Sequence, residues 1–242
     1  MFSAVIASKR SFGHFKKAIE SVQLQTYKNT EILVTDDASG EGEAKAEFLA
    51  SQDIIFNIQI NATSVGFAAA RNQAIAKAKG EWIAILDDDD EWSPQYLADA
   101  VDALAEPWSW SYCLPTADKI LGGYVLERDI PQIIHRLLYS GIGPGSGLIF
   151  SRKAIEAVGF FDPAFKVVAD RDLMLRLLLA GYAPIEIVGD YIIPGDRGVT
   201  RDRQLWLEEA IALLNKFFTL PGSEMYRAEK ERAIEVWRRR LG

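Results

Sequence analysis

The first hundred residues alternate short β-rich runs with segments of helical period, a rhythm that few folds can accommodate. "SAVIAS" (3–8) precedes Phe15, Ala18, Ile19 and Val22 at helical spacing, and "EILVTDD" (31–37) follows. Then come "IIFNIQIN" (54–61), a helix with Phe67, Ala70, Ala74 and Ala78 on one face, and "EWIAIL" (81–86). The order βαβαβαβ predicts an α/β protein with a Rossmann-like, mostly parallel central sheet covered by helices on both faces. "ILV" and "WIAIL" lack polar alternation, as strands buried on both sides require. In open sheets of this kind ligands bind beyond the carboxyl ends of the strands, where this chain places "SKR", "DDASGEG" and "DDDDEW".

Pro94 opens a helix carrying Leu97, Ala100, Val101 and Leu104, and Pro107 ends the regular alternation. The second half predicts a helix over 130–139, a Gly-rich loop "SGIGPGSG" feeding the strand "LIFS", and a helix from Arg152. An apolar helix over 171–181, a strand over 184–188 and closing helices over 203–218 and 224–240 complete the pattern. No stretch of linker composition interrupts the 242 residues, which read as one domain with an elaborated C-terminal half.

Charge and cysteine usage narrow the function classes. With 27 Lys and Arg against 34 Asp and Glu, the net charge of −7 offers no basic field for nucleic acid. A single Cys113 and two separate histidines, His14 and His135, exclude an internal disulfide and a cysteine-based zinc cluster, and fit a reducing, cytoplasmic setting. There is no basic-then-apolar leader pattern at the N-terminus, and no window holds 18 uninterrupted apolar residues.

The chemistry concentrates in "AILDDDDEW" (84–92). Asp87, Asp88, Asp89, Asp90 and Glu91 leave the end of a buried strand, so alternate residues such as Asp87 and Asp89 point to one side. That geometry suits a hard divalent cation, Mn²⁺ or Mg²⁺, completed by water and substrate phosphates. The other reading is a solvated acidic turn capping the helix after Ser93 and Pro94. "DDASGEGE" (36–43) sets Asp36 and Asp37 at a second strand end, as acceptors for a nucleobase or ribose, or as a simple cap and turn. Arg71 and Asn72 lie in the first turns of a helix behind Gly66, where a guanidinium and a helix N-terminus can meet a phosphate; pairing with the acidic strand ends is the alternative.

The segments "SAVIASKRSFGHFKKAIESVQLQTYKNTEILVTDDASG", "VGFAAARNQAIAKAKGEWIAILDDDDEWSPQYL" and "GSGLIFSRKAIEAVGFFDPAF", followed by "ADRDLMLRLLLAGY", resemble in order the inverting glycosyltransferase family two. The likeness runs from residue 3 to about 182. It implies the GT-A fold and a nucleoside-diphosphate sugar donor, with residues 1–106 as the nucleotide-sugar half, 107–202 as the acceptor half and 203–242 as C-terminal helices. Asp36, Asp37 and Ser8 then resemble contacts to the nucleotide, and Arg71 a contact to the base or diphosphate. Asp87 and Asp89 look like the family's D-x-D metal and ribose ligands, with Asp88 beside them on the nucleotide-sugar side. Asp170 falls at the catalytic base, and Ala169 stands where the family has Glu. The opening Pro-Thr-Tyr-Asn-Arg of the family is "ASKRS" here, and the Gln-x-x-Arg-Trp motif of processive synthases is absent.

The resemblance therefore implies metal-dependent, inverting transfer of one sugar, from a UDP-sugar, to a glycan or lipid-linked glycan hydroxyl. A sugar nucleotidyltransferase and a non-catalytic nucleotide-sugar-binding scaffold are the other readings. Trp92, Trp108, Trp110 and Tyr112 are read as core, with sugar stacking as the alternative. Arg197, Arg201 and Arg203 in "GDRGVTRDR" are expected to close over the diphosphate or to face solvent. The last helix, with Ala233, Trp237 and Leu241 on one side and basic residues at 238–240, is expected to pack on the domain or to touch a membrane surface peripherally.

Overall fold

A computed structural model describes residues 1–104, 109–113, 130–139, 145–187, 189–195 and 202–241. The N-terminal rhythm appears as β1 (Phe2–Ser8), α1 (Phe12–Gln23), β2 (Thr30–Asp36), α2 (Gly42–Ala50), β3 (Phe56–Ile60), α3 (Phe67–Ile75) and β4 (Trp82–Ile85). Next come β5 (Glu91–Trp92), α4 (Tyr96–Ala103), β6 (Trp110–Tyr112), α5 (Ile130–Tyr139), β7 (Leu148–Ser151) and α6 (Arg152–Val158). The chain then forms α7 (Ala169–Leu179), β8 (Pro184–Glu186), β9 (Ile192–Ile193), α8 (Arg203–Phe217) and α9 (Lys230–Leu241), with 3₁₀ turns at Gly145–Gly147 and Glu224–Glu229.

Seven strands make one sheet in the order β3-β2-β1-β4-β7-β6-β8. β1 pairs in parallel with both β2 and β4, β2 with β3, and β6 with β8, while β7 is antiparallel to its neighbours. β5 and β9 form a separate antiparallel pair. The period of two sorts strand residues between the faces. Val5, Leu33, Ile83, Ile85, Leu148 and Phe150 enter one core with α5, α7, α8 and α9. Phe2, Ala4, Ile6, Ile32, Val34, Ala84, Leu86 and Ile149 enter the other, against α1 and α4. Every residue of β1 is buried, as its unbroken apolar run requires, whereas no residue of β3 at the sheet edge is buried.

Several local expectations shift. The edge strand is shorter than 54–61 because its ends have no second neighbour to pair with. The helix expected over 171–181 starts at Ala169, so Asp170 lies in its first turn. α3 buries Ala68, Ala70, Arg71, Ala74 and Ile75, with Phe67 only partly covered and Ala78 beyond its end. The strand over 184–188 ends at Glu186, Val188 lying outside the described residues. The closing helix over 224–240 begins as the 3₁₀ turn. Trp92, Trp110 and Tyr112 are core residues, and Trp108 lies outside the described residues. Gly66 (φ 89°) enters α3 from a conformation that disfavours any side chain, and Gly159 (φ 91°) closes α6 in the left-handed region.

Candidate active site

The carboxyl ends of β1, β2 and β4 lie side by side, because β1 runs parallel between the other two. Ser8 closes β1 in register with Asp36 at the end of β2, and the aspartates 87–90 follow β4. Each aspartate then has its own set of partners. Asp88 Oδ2 accepts from Ser8 Oγ at 2.9 Å and from the backbone N–H groups of Lys9 and Arg10 at 2.8 Å, so it ties the β1 loop to the β4 loop. Asp89 Oδ2 pairs with Arg10 Nη2 at 2.7 Å. Asp90 accepts from Ser146 Oγ at 2.5 Å and from Gly195 N–H at 2.9 Å, joining the acidic loop to the segments before β7 and after β9. Asp87 N–H donates to Ser146 Oγ, and Asp87 Oδ1 accepts from Arg71 Nη2 at 2.7 Å.

Arg71 is the centre of the cleft. It is 1% exposed, with Phe67 3.8 Å and Phe161 5.1 Å from its guanidinium carbon. Its Nη1 donates to Asp170 Oδ1 and its Nη2 to Asp87 Oδ1, so one cation joins the end of β4 to the first turn of α7. Gly145 packs against the pair: a Cβ there would stand 2.6 Å from Arg71 Nη2 and 3.0 Å from Asp170 Oδ2. At Gly195 a Cβ would fall 1.6 Å from the Asp89 carbonyl oxygen, so only glycine lets these chains meet.

On the β2 side, Asp36 is fully buried and accepts from Lys45 Nζ at 2.7 Å and from Ser39 Oγ at 2.6 Å. Lys45, equally buried, also donates to Ser8 Oγ and to the Arg10 carbonyl. Asp37 accepts from Ser64 Oγ, Val65 N–H, Gly66 N–H and Asn61 Nδ2. Burial raises the Asp37 pKa, but these donors together outweigh it and hold the carboxyl below its ordinary value.

Four carboxylates, of Asp87, Asp88, Asp89 and Asp170, thus meet two guanidiniums, of Arg10 and Arg71, while Asp90 is held by Ser146 and Gly195. The excess of negative charge shows in Asp87. Burial pushes its pKa up to about 7, Arg71 opposes the rise, and Asp170 and Asp90 add to it. Asp89 is likewise raised, by burial first, with Arg10 opposing and Asp90 and Asp88 reinforcing. Asp89 lines a cavity of about 330 Å³ together with His14, Lys17, Glu91, Pro194 and Gly195. Hard oxygen donors, surplus negative charge and an adjoining opening fit a divalent ion held by one or two carboxylates. Among the described residues no three metal-ligating side chains gather in one group, so phosphate and water must complete such a shell.

The eight residues singled out from the sequence lie at the carboxyl ends of β1, β2 and β4, in α3 and in the first turn of α7, in unequal circumstances. Asp87 and Asp170 each bond Arg71; Ser8, Asp88 and Asp36 join one buried network through Lys45; Asp89 faces the cavity; Asp37 anchors the loop before α3. The charge run is tolerated chiefly by Arg10 and Arg71 within the chain. Lys45, Arg10 and Ser146 do not stand out in the sequence. The visible hint for Lys45 is a lysine on a helix among "EAKAEFLA", at a position the packing turns inward. Arg197 and Arg201 lie outside the described residues, and Arg203 donates to the Arg240 carbonyl at 2.9 Å.

Residues 3–141 match the sequence model of glycosyl transferase family 2. Over 99 residues the chain is 31% identical to the amylovoran biosynthesis glycosyltransferase AmsB of Erwinia amylovora, covering 40% of this chain and 33% of that protein. It spans less than two thirds of the length of other curated relatives it matches. In fold it is similar to a mannosyltransferase of Pyrobaculum calidifontis, PcManGT, in complex with GDP-Man and Mn²⁺, with a TM-score of 0.73 at 19% identity, over 99% of this chain and 73% of that one. It is similar also to S. aureus TarS 1-349 in complex with UDP, with a TM-score of 0.71 at 17% identity, over 99% of this chain and 71% of that one. The central sheet is that of the GT-A fold.

Proposed function

The chain belongs to glycosyl transferase family 2, and from that premise we propose that it moves a single sugar from a nucleoside-diphosphate sugar, a UDP-sugar, to a hydroxyl of a glycan or lipid-linked glycan, with inversion. The observation that carries this reading is the shared guanidinium of Arg71, which puts the β4 carboxylates and Asp170 in one cleft. The donor nucleotide lies along the ends of β1 and β2, where a cavity of about 300 Å³ is bordered by Asp36, Ala38, Gly40, Gly42, Ile60 and Asn61. Ser8, Asp88 and Lys45 shape its floor by holding the β1, β2 and β4 loops together.

Asp170 is the base. One of its oxygens is held by Arg71, and the other faces the room left by Gly145. That second oxygen takes the proton of the acceptor hydroxyl as the hydroxyl oxygen bonds to the anomeric carbon. The bond from that carbon to the diphosphate breaks on the opposite face, and the configuration inverts. Asp89 and Asp87 would hold a divalent ion, which would supply positive charge against the departing nucleoside diphosphate. Arg71 orients Asp170 and limits the repulsion between it and Asp87.

Support for UDP comes from the fold shared with a UDP-bound protein, and for a glycan acceptor from the name of the amylovoran relative. Among the described residues no helix is long and apolar enough to cross a membrane. The exposed Arg238, Arg239 and Arg240 of α9 suit a peripheral contact with a membrane carrying the acceptor, at the cytoplasmic face. Calorimetric titration of UDP with and without Mn²⁺, on the wild type and on Asp89→Ala, tests the donor site. Metal-dependent binding that the substitution abolishes, followed by UDP release from one member of a UDP-sugar panel, is the expected result. Binding of GDP in place of UDP would overturn the donor assignment, and no nucleotide binding at all would overturn transfer itself.

A further inference from the structure

Arg171, beside the base in the first turn of α7, is 6% exposed. Its guanidinium carbon lies 5.5 Å from the ring of Trp206 and 5.1 Å from the ring of Trp237, on α8 and α9. Among the described residues no carboxylate pairs with it and no carbonyl accepts from it, in contrast to Arg71 and Arg176 in the same region. A second cation adjoins it. Arg240 has its guanidinium carbon 4.6 Å from the centroid of the same Trp237 ring and donates to the Tyr139 carbonyl. Burial first, and the nearby Arg240 second, lower the Arg171 pKa to about 10.

Indole faces offset only part of what a guanidinium loses on leaving water, since none of its five N–H donors is satisfied by a ring. A charge kept in this condition is costly to the fold and marks a site whose partner arrives from outside. A planar carboxylate is satisfied by the fork of one guanidinium, whereas two guanidiniums from different helices match the several oxygens and higher charge of a phosphate. Asp170 and Arg171 are consecutive on α7, so their side chains leave the helix about 100° apart, Asp170 toward Arg71 and Arg171 toward Trp206 and Trp237, and an acceptor that meets both must wrap the start of α7.

We propose that Arg171 and Arg240, flanked by the indoles of Trp206 and Trp237, form an anion site that takes a phosphate group carried by the acceptor. The inference deepens the transferase reading and rests on it for the identity of the acceptor, while the anion site itself stands on the two arginines. A lipid-linked and a lipid-free phosphate offer the same chemistry here, and the probes separate them.

The experiment follows tryptophan fluorescence of the full chain, in EDTA so that no metal recruits diphosphate to the donor site, during titration with inorganic phosphate and with geranyl diphosphate. Saturable binding is expected, weakened at least tenfold in Arg171→Gln and severalfold in Arg240→Gln. Tighter binding of geranyl diphosphate supports the site with a lipid-linked source, and equal binding supports it with the phosphate group as the whole determinant. If Arg171→Gln fails to fold, the exposed Arg240→Gln decides. Absence of saturable binding, or equal affinity in wild type and the folded variants, would overturn the site. UDP titration with Mn²⁺ on the same samples keeps the two readings apart. Lost UDP binding with intact phosphate binding sinks the transferase, and the converse sinks the anion site alone.

Discussion

At the scale of single residues the cleft depends on close approaches that no larger side chain allows. Gly145 has an ordinary backbone conformation, so alanine is accessible to its main chain, but the added methyl would stand 2.6 Å from Arg71 Nη2. Arg71 is buried between two phenylalanine rings and bonded at both ends, so it cannot simply swing aside. Gly145→Ala is therefore expected to push the Arg71–Asp170 pair out of place, lowering kcat/KM by roughly 10- to 100-fold while costing only about 1–2 kcal/mol of stability. Steady-state kinetics beside a thermal melt would check this, and full activity in the variant would refute the placement of the base. Asp87 and Asp89 stand out in the sequence by residue type and position at a strand end, whereas Asp170 stands out only through the family resemblance. Lys45 and Ser146 do not stand out, since a lysine bonded to Asp36 and a serine bonded to Asp90 become visible only when distant segments meet.

At the scale of elements, the start of α7 is held from α8. Both oxygens of the buried Glu209 accept from the N–H of Lys166, and one of them also accepts from Val167 and Val168, just before α7 begins. Lys216 Nζ bridges Asp162 at 2.8 Å and Asp172 at 2.5 Å, and Arg176 completes the cluster on Asp172 and on the carbonyls of Val158 and Phe160. The Lys216 hydrogen bond, against an opposing effect of burial, holds the Asp162 carboxyl below its ordinary value of 3.8. A folded-state pKa below the unfolded one means that this contribution is complete above about pH 4 and fades as pH falls through the folded value. Lys216→Met should lose about 1–2 kcal/mol at neutral pH, where Asp172 keeps Arg176. It should also flatten the decline of stability as the pH falls below about 4. Urea denaturation across that range is the measurement; an unchanged acid limb would show that Lys216 does not hold Asp162.

At the scale of the whole molecule, the parallel half of the sheet is readable because each βα step is local, and unbroken apolar runs announce strands covered on both faces. The insertion of β7 between β4 and β6 is not readable, because an antiparallel strand arriving from residue 148 is fixed by packing far from its own sequence. The same packing decides whether the C-terminal helices are an appendage. Leu207, Leu213, Leu214, Phe217, Ile234 and Trp237 join Leu137, Leu173, Leu177 and the strand residues Val5 and Phe150 in one continuous core. Trp237 is fully buried, and its indole N–H donates to the Leu138 carbonyl at 2.7 Å, so α9 is fastened to α5 across nearly a hundred residues of chain. If the sheet and these helices unfold as one unit, Trp237→Ala should cost about 3–5 kcal/mol and should shift the whole transition. Far-UV circular dichroism and tryptophan fluorescence would then give coincident midpoints in guanidinium chloride, both in the wild type and at the lowered midpoint of the variant. A variant in which fluorescence changes first, while the dichroism of the sheet stays at its wild-type midpoint, would instead make α8 and α9 a separately folding layer. The anchoring of α7, and with it the position of Asp170, would then vary independently of the donor half.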